Sequence, residues 1–180
     1  MFNNLKLKYL LFILLFLFAC AKISQEEVVK DIVVPDQESW NSITLISNKG
    51  KKSAIIFSGH LVKYEHSGDI FLGDSVNVDF FNKMGEHVSI LISDSGIVNE
   101  RTQNLKAIGN VVLISDTGYT MYTDELIWIS DSEKVFTEGD IELYSEEDTL
   151  YGTGFTSDVK LENWTITEPH GKTFRELREE

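Results

Sequence analysis

The stretch Leu105–Phe155, LKAIGNVVLISDTGYTMYTDELIWISDSEKVFTEGDIELYSEEDTLYGTGF, predicts the fold of the chain. Its polar turns begin at Ser115, Ser130 and Ser145 and are therefore 15 residues apart. Between the turns lie runs of about eleven residues rich in Val, Ile, Leu, Thr, Tyr and Trp, which is typical of β-strands bounded by turn chemistry. We therefore predict a series of long antiparallel strands.

Most of these strands carry a break near the middle. The breaks are Gly109-Asn110, Asp124-Glu125, Gly139-Asp140 and Gly152-Thr153-Gly154. The first and third stand in equivalent positions of a repeat of 30 residues. Glycine inside a strand pattern indicates a bulge or a sharp bend. Strands that all bend at the same height form a sheet folded over on itself, so we predict an all-β, twisted and bent antiparallel sheet.

Strict alternation of apolar and polar residues from Ser75 to Phe81 predicts one buried face and one solvated face. The same alternation is predicted for the strand that follows Gly85. The inward positions, which are candidates for lining an apolar groove, are Phe57, Val76, Val78, Phe80, Val88, Ile90, Ile92, Val111, Leu113, Met121, Leu126, Trp128, Ile141 and Leu143. An apolar face of this kind is either a closed core or an open groove for a lipid-like ligand, and composition does not separate the two.

The N-terminus has the pattern of an export signal. Lys6 and Lys8 precede an apolar run from Tyr9 to Ala19, which is too short to span a bilayer. The run ends at Cys20, the single cysteine, in a sequence that resembles the bacterial lipobox. We expect residues 1–19 to be removed and Cys20 to be lipidated. The alternative is an ordinary signal peptide with an incidental cysteine.

Composition divides the rest into a tether over residues 20–39, one β-domain over residues 40–167 and a charged tail over residues 168–180. The net charge of the whole chain is −13. Loss of the signal removes two lysines and leaves 14 basic against 29 acidic residues, a net charge of −15. So acidic a chain has no electrostatic footprint for nucleic acid.

No catalytic constellation is present in the sequence. The four histidines are not spaced as metal ligands, so we expect neither a metal site nor a cofactor. The acidic turn Glu146-Glu147-Asp148 is typical of a solvated hairpin. Gly152-Thr153-Gly154 is followed by no helix pattern, which argues against a phosphate loop. Without catalytic groups, an exported β-protein is more consistent with binding a lipid-like ligand, or another β-protein by strand addition.

The order of several short motifs resembles the LptC family, the periplasmic component of lipopolysaccharide export. The motifs are Trp40, the Gly50-Lys51 hairpin, Val76-Asn77-Val78-Asp79-Phe80, Gly85-Glu86, Leu91-Ile92-Ser93-Asp94-Ser95-Gly96, Gly109-Asn110-Val111, Thr123-Asp124-Glu125-Leu126-Ile127-Trp128 and Gly152-Thr153-Gly154-Phe155. Some of them are also similar to the broader OstA/LptA-type repeat. No single motif is specific for the family, whereas the order of the motifs over residues 40–167 is specific for it.

The resemblance implies a β-jellyroll, open at its edges, along whose groove lipopolysaccharide acyl chains slide. It implies an inner-membrane Lpt ABC transporter as the energy source and an LptA-like periplasmic jellyroll as the next partner. That partner would pair with the C-terminal edge, where the candidates are Val159, Leu161, Trp164 and Ile166 in strands over 159–161 and 164–166. Many family members are held by a transmembrane helix, whereas this chain is expected to use a lipid on Cys20, in the inner membrane of a Gram-negative bacterium. The alternative is a structural or adhesin-like lipoprotein with a closed core.

Overall fold

The computed structural model describes residues 34–64 and 66–170, and its strands lie between Gln37 and His170. The predictions of a signal peptide over residues 1–19 and of a lipid on Cys20 fall outside these residues, as do most of the tether predicted over 20–39 and most of the charged tail predicted over 168–180. The strands are β1 (Gln37–Asn48), β2 (Lys51–Tyr64), β3 (Asp69–Phe81), β4 (His87–Ser93), β5 (Ser95–Asn99), β6 (Leu105–Ser115), β7 (Thr120–Ile129), β8 (Lys134–Tyr144), β9 (Thr149–Asp158) and β10 (Thr165–His170). The described residues contain no helix, so the prediction of an all-β fold is confirmed.

All strands belong to one antiparallel sheet with the order β1-β2-β3-β4-β6-β7-β8-β9-β10. Strands β4 and β5 are the two parts of one interrupted strand, since each pairs with β3 on one side and with β6 on the other. The path is a meander in which neighbours in sequence are neighbours in space. Strands β1 and β10 each pair on one side only and leave the sheet with two free edges.

A line of bulges crosses the sheet where the sequence breaks lie. The ladder register shifts between Ile108 and Val111, between Thr123 and Ile127, and between Thr137 and Asp140. The backbone is left-handed at Gly109, Asn110 and Gly154, as a bulge or tight bend requires. The predicted bends at these positions are confirmed.

The line of bulges, called the crease below, divides the sheet into two layers. Layer A holds residues 42–58, 76–93, 111–123 and 140–153, and layer B holds residues 60–72, 95–108, 126–137 and 155–158. Phe80 of layer A and Trp128 of layer B pack with ring centroids 5.1 Å apart, so the layers face each other across one core. The sheet is therefore folded over on itself.

The first and last residues of the sheet differ from the bounds predicted from the sequence. Strand β1 begins at Gln37 and β10 continues to His170, so the sheet extends three residues beyond each end of the range 40–167. Residues 159–161 are not a strand but the start of the connection between β9 and β10. The prediction of a strand there is wrong, because Val159 and Leu161 turn inward and are buried in the core.

Candidate functional site

The apolar face between the two layers holds eleven of the fourteen predicted inward residues. They are Val76, Val78, Phe80, Val88, Val111, Leu113, Met121, Leu126, Trp128, Ile141 and Leu143, and each is buried. The face is continuous across the ladders, since Ile56, Val78 and Leu91 stand side by side on neighbouring strands, as do Leu113 and Met121. This inner face is the candidate functional surface.

The other three predicted inward residues, Phe57, Ile90 and Ile92, lie on the outer face, so their inward assignment is wrong. Phe57 and Ile92 are each 37% exposed. On β4 the ladder with β3 shifts so that Val88 is an extra residue between the paired positions His87 and Ser89. A single extra residue moves every later side chain to the opposite face.

Several inner residues were not predicted from the sequence. The largest are Ile56, Leu91, Leu105, Phe155 and Leu161. Leu91 alternates with buried serines, Ser89 and Ser93, which resemble a solvated face in the sequence. Hydrogen bonding makes some inner serines tolerable in the core, as where Ser93 Oγ donates to the Ser95 carbonyl at 2.9 Å. These residues could have been predicted only by allowing for the fact that each bulge reverses which alternate side chains face inward.

Three polar atoms of the inner face have no hydrogen-bond partner in the described part of the chain. They are Ser89 Oγ, Ser157 Oγ and Trp128 Nε1. An unsatisfied buried polar group costs about 1–3 kcal/mol. The inner face therefore retains polar groups that a polar atom of an inserted molecule could satisfy.

Opposite the crease, the free ends of the two layers meet along a seam, and the described residues form side-chain hydrogen bonds across it at two points. Asn48 Nδ2 of layer A donates to the Ser130 carbonyl of layer B at 3.2 Å. Farther along, Ser115 Oγ and Thr117 Oγ1 both donate to the Lys160 carbonyl. The seam is therefore the part of the fold where the layers can separate without breaking a strand ladder.

A cleft of about 700 Å³ lies at the second of these contact points. The β6–β7 turn, the β8–β9 turn and two apolar side chains, Leu150 and Trp164, line it. Both side chains are partly buried and pack against the core. The β9–β10 connection, with Leu161 buried, closes the inner face beside this cleft.

The two free edges differ in length and in protection. Strand β1 has twelve residues, and its Ile43 and Leu45 are 73% and 61% exposed. Strand β10 has six residues, of which Pro169 has no N–H to offer a partner strand. Of the predicted edge residues, Ile166 lies in β10, Trp164 directly precedes it, and Val159 and Leu161 belong to the core. Long unprotected edges are the places where another strand can add.

Several titratable groups among the described residues form local pairs. His60 Nε2 lies 2.8 Å from Glu38 Oε1, and His87 Nδ1 lies 2.8 Å from Asp116 Oδ2. A hydrogen bond from the Tyr144 hydroxyl to Glu142 Oε2, 2.6 Å long, raises the pKa of Tyr144 well above its usual range. In the described ranges no three His, Cys, Asp or Glu residues come together as metal ligands.

None of the described residues forms a helix long and apolar enough to cross a membrane. The family described as lipopolysaccharide-assembly, LptC-related matches residues 9–169. No curated protein sequence matches the chain. The matched range covers the whole sheet except for its last residue, His170.

Proposed function

Because the chain belongs to the LptC-related family of lipopolysaccharide assembly, we propose that its inner face carries the acyl chains of lipopolysaccharide across the periplasm. Membership of the family implies a part in lipopolysaccharide export in the envelope of a Gram-negative bacterium. The proposal adds that this chain is a non-enzymatic carrier. It accepts lipopolysaccharide from the inner-membrane ABC transporter and passes it to an LptA-like jellyroll.

One observation carries the proposal: among the described residues a mainly apolar inner face, interspersed with small Ser and Thr side chains, lies between layers that no strand ladder joins at the seam. At the crease the strands themselves run from one layer into the other, whereas the hydrogen bonds across the seam are contacts such as Asn48 to Ser130. Separating the layers at the seam would expose Val78, Leu113 and Met121 together. Each CH₂ of an acyl chain that replaces water there contributes about 0.8 kcal/mol.

The free edges supply the two junctions that a chain of jellyrolls needs. We propose that β10, at the C-terminal end of the sheet, pairs with the following jellyroll. Strand β1 is the other free edge and would face the transporter, with Ile43 and Leu45 exposed beside the unpaired backbone. Backbone hydrogen bonds across both edges would align the inner faces of successive proteins.

The membrane attachment is part of the same proposal. A lipid on Cys20 would hold the chain at the inner membrane, and the residues between Cys20 and Gln37 would span the distance to β1. Treatment of cells with an inhibitor of lipoprotein signal cleavage should then leave the chain in its longer precursor form. A chain of unchanged mass would contradict the anchor.

Photo-crosslinking in living cells tests the carrier function with neighbouring residues of one strand. A crosslinker in place of Leu113, whose side chain is buried on the inner face, should capture lipopolysaccharide. The matched control replaces Ile114, an apolar residue of the same strand that is 40% exposed on the outer face, and should capture none. Capture should disappear when the transporter is depleted of ATP. Equal capture at both positions, or at neither, would overturn the proposal, and the second result would favour a structural lipoprotein with a closed core.

A further inference from the structure

A second cleft on the seam is lined by lysines, although the chain is strongly acidic. Its volume is about 300 Å³. From layer A it is lined by the β1–β2 and β3–β4 turns, and from layer B by the β7–β8 turn. Four of the eight described lysines lie here: Lys49, Lys51, Lys52 and Lys83. Positive charge is therefore concentrated at one point of the seam.

These four lysines form no ion pair within the described residues. By contrast, Lys63, Lys106 and Lys160 lie within 4.0 Å of the carboxylates of Glu100, Glu125 and Glu162. In the cleft, Lys51 Nζ donates to the Lys83 carbonyl at 3.0 Å, and Lys52 Nζ lies 3.4 Å from the centre of the Phe81 ring. The ammonium groups of Lys49 and Lys83 have no described hydrogen-bond partner.

Two carboxylates, Asp131 and Glu133, line the layer B side of the same cleft. They leave an excess of two positive charges, and neither approaches a lysine closely enough for an ion pair. Unneutralised ammonium groups around a cleft attract anions, and lysine binds phosphate as a compact point charge.

The position of the cleft indicates what kind of anion it takes. Ser53, which lines the cleft, is buried and is followed in β2 by Ala54, which belongs to the core. Across the seam, the contact from Asn48 to Ser130 ties the layers together at this point. An anionic group held by the lysines would therefore lie directly above the inner face.

We propose that this lysine cleft binds the phosphate groups of an anionic amphiphile whose acyl chains lie on the inner face. The inference rests on the proposed carrier function and names the headgroup site for it. The charged headgroup would stay in water at the rim of the seam. Its position would then determine how deeply the acyl chains extend between the layers.

Binding of purified lipid A to the full chain in detergent tests the site. The wild type should bind diphosphorylated lipid A more tightly than the same lipid after enzymatic removal of its phosphates. The double variant Lys49→Gln/Lys83→Gln should lose that preference, with binding of the phosphorylated lipid weakened about tenfold, because each exposed charge contributes a modest amount. The double variant Lys49→Arg/Lys83→Arg, which keeps both positive charges, should retain the preference for phosphorylated lipid A.

The matched control, Lys63→Gln/Lys106→Gln, removes the same charge from lysines outside the cleft and should keep the preference. An equal loss in the control would mean that net charge alone is responsible and would overturn the site, as would an unchanged preference in the first variant. Saturable binding of inorganic phosphate by itself, equal in strength to that of the lipid, would contradict a lipid headgroup as the ligand. If Leu113 still captures lipopolysaccharide in cells while the cleft variants bind normally, the headgroup site fails and the carrier function stands.

Discussion

The crease crosses β2 at Gly59, where the β2–β3 ladder shifts register between Ser58 and His60, and it can be tested there by adding one methyl group. In Gly59→Ala the new Cβ would lie 2.2 Å from the backbone oxygen of Asp74 and 2.7 Å from its Cβ. Asp74 and Ser75 both have positive φ, so the backbone on the far side of the contact is already held in a strained conformation. Neither strand can yield without opening the bulge. Overpacking of this kind costs about 1–3 kcal/mol of unfolding free energy.

Gly73→Ala is the matched control, since Gly73 lies on the neighbouring strand and an added Cβ meets nothing within 4 Å. Alanine there reduces the freedom of the unfolded chain, which stabilises a protein by about 0.4–1 kcal/mol. The two variants should therefore differ by about 1.4–4 kcal/mol. Urea unfolding, followed by tryptophan fluorescence, measures the difference. Variants within about 0.5 kcal/mol of each other would refute the tight approach at the crease.

Three further predictions concern the connection, the outer face and the edge. Leu161→Ala should lower the unfolding free energy by about 2–5 kcal/mol in urea denaturation, because it leaves a cavity in the core, and a loss below about 0.5 kcal/mol would contradict its burial. Tyr144 should stay protonated above pH 10.0, because its pKa is raised by the hydrogen bond to Glu142. The stability gained from that bond is present below pH 10.0 and is lost as the pH rises further. Glu142→Gln should lower the pKa of Tyr144 in an ultraviolet titration, and an unchanged pKa would contradict the bond as the cause of the shift. Thr165→Pro and Ile166→Pro remove N–H groups from opposite sides of β10. One of the two variants should therefore lose pairing with an LptA-like jellyroll in a pull-down, while its unfolding free energy stays within about 0.5 kcal/mol of the wild type. Normal pairing in both variants would argue against this edge.

The crease was predictable because its causes are local. Glycine and Asn in the middle of a β-branched run mark positions where the backbone turns left-handed, and Gly109 and Asn110 do so. Their equivalents Gly139 and Asp140, 30 residues later, lie at the corresponding register shift of the β8–β9 ladder. Repeated turn chemistry in an antiparallel meander brings such positions side by side, so the fold class followed from the pattern.

The facing of β2 and β4 was not predictable from the pattern. On β2, both Ala54-Ile56 and Ile55-Phe57 are apolar alternations, and pairing of Ile56 with Val78 selects the first as the inner face. On β4, the inner face holds Leu91 with serines, while Ile90 and Ile92 lie outside. Alternation gives two faces without saying which one is inward.

The sequence by itself determined that this chain is a bent antiparallel sheet and that its order of motifs is that of the LptC-related family. Strand composition, turns and glycine breaks act over a few residues, so they can be read in one dimension. Only the tertiary structure decided which apolar residues form the inner face, that residues 159–161 close it, and that four lysines from the β1–β2 hairpin and the β3–β4 turn gather at the seam. These features depend on bulges that reverse the side-chain phase and on the approach of two layers whose residues are far apart in sequence. Of the fourteen inward residues predicted from alternation, eleven lie on the inner face. The structure adds the seam between the layers and the lysines beside it.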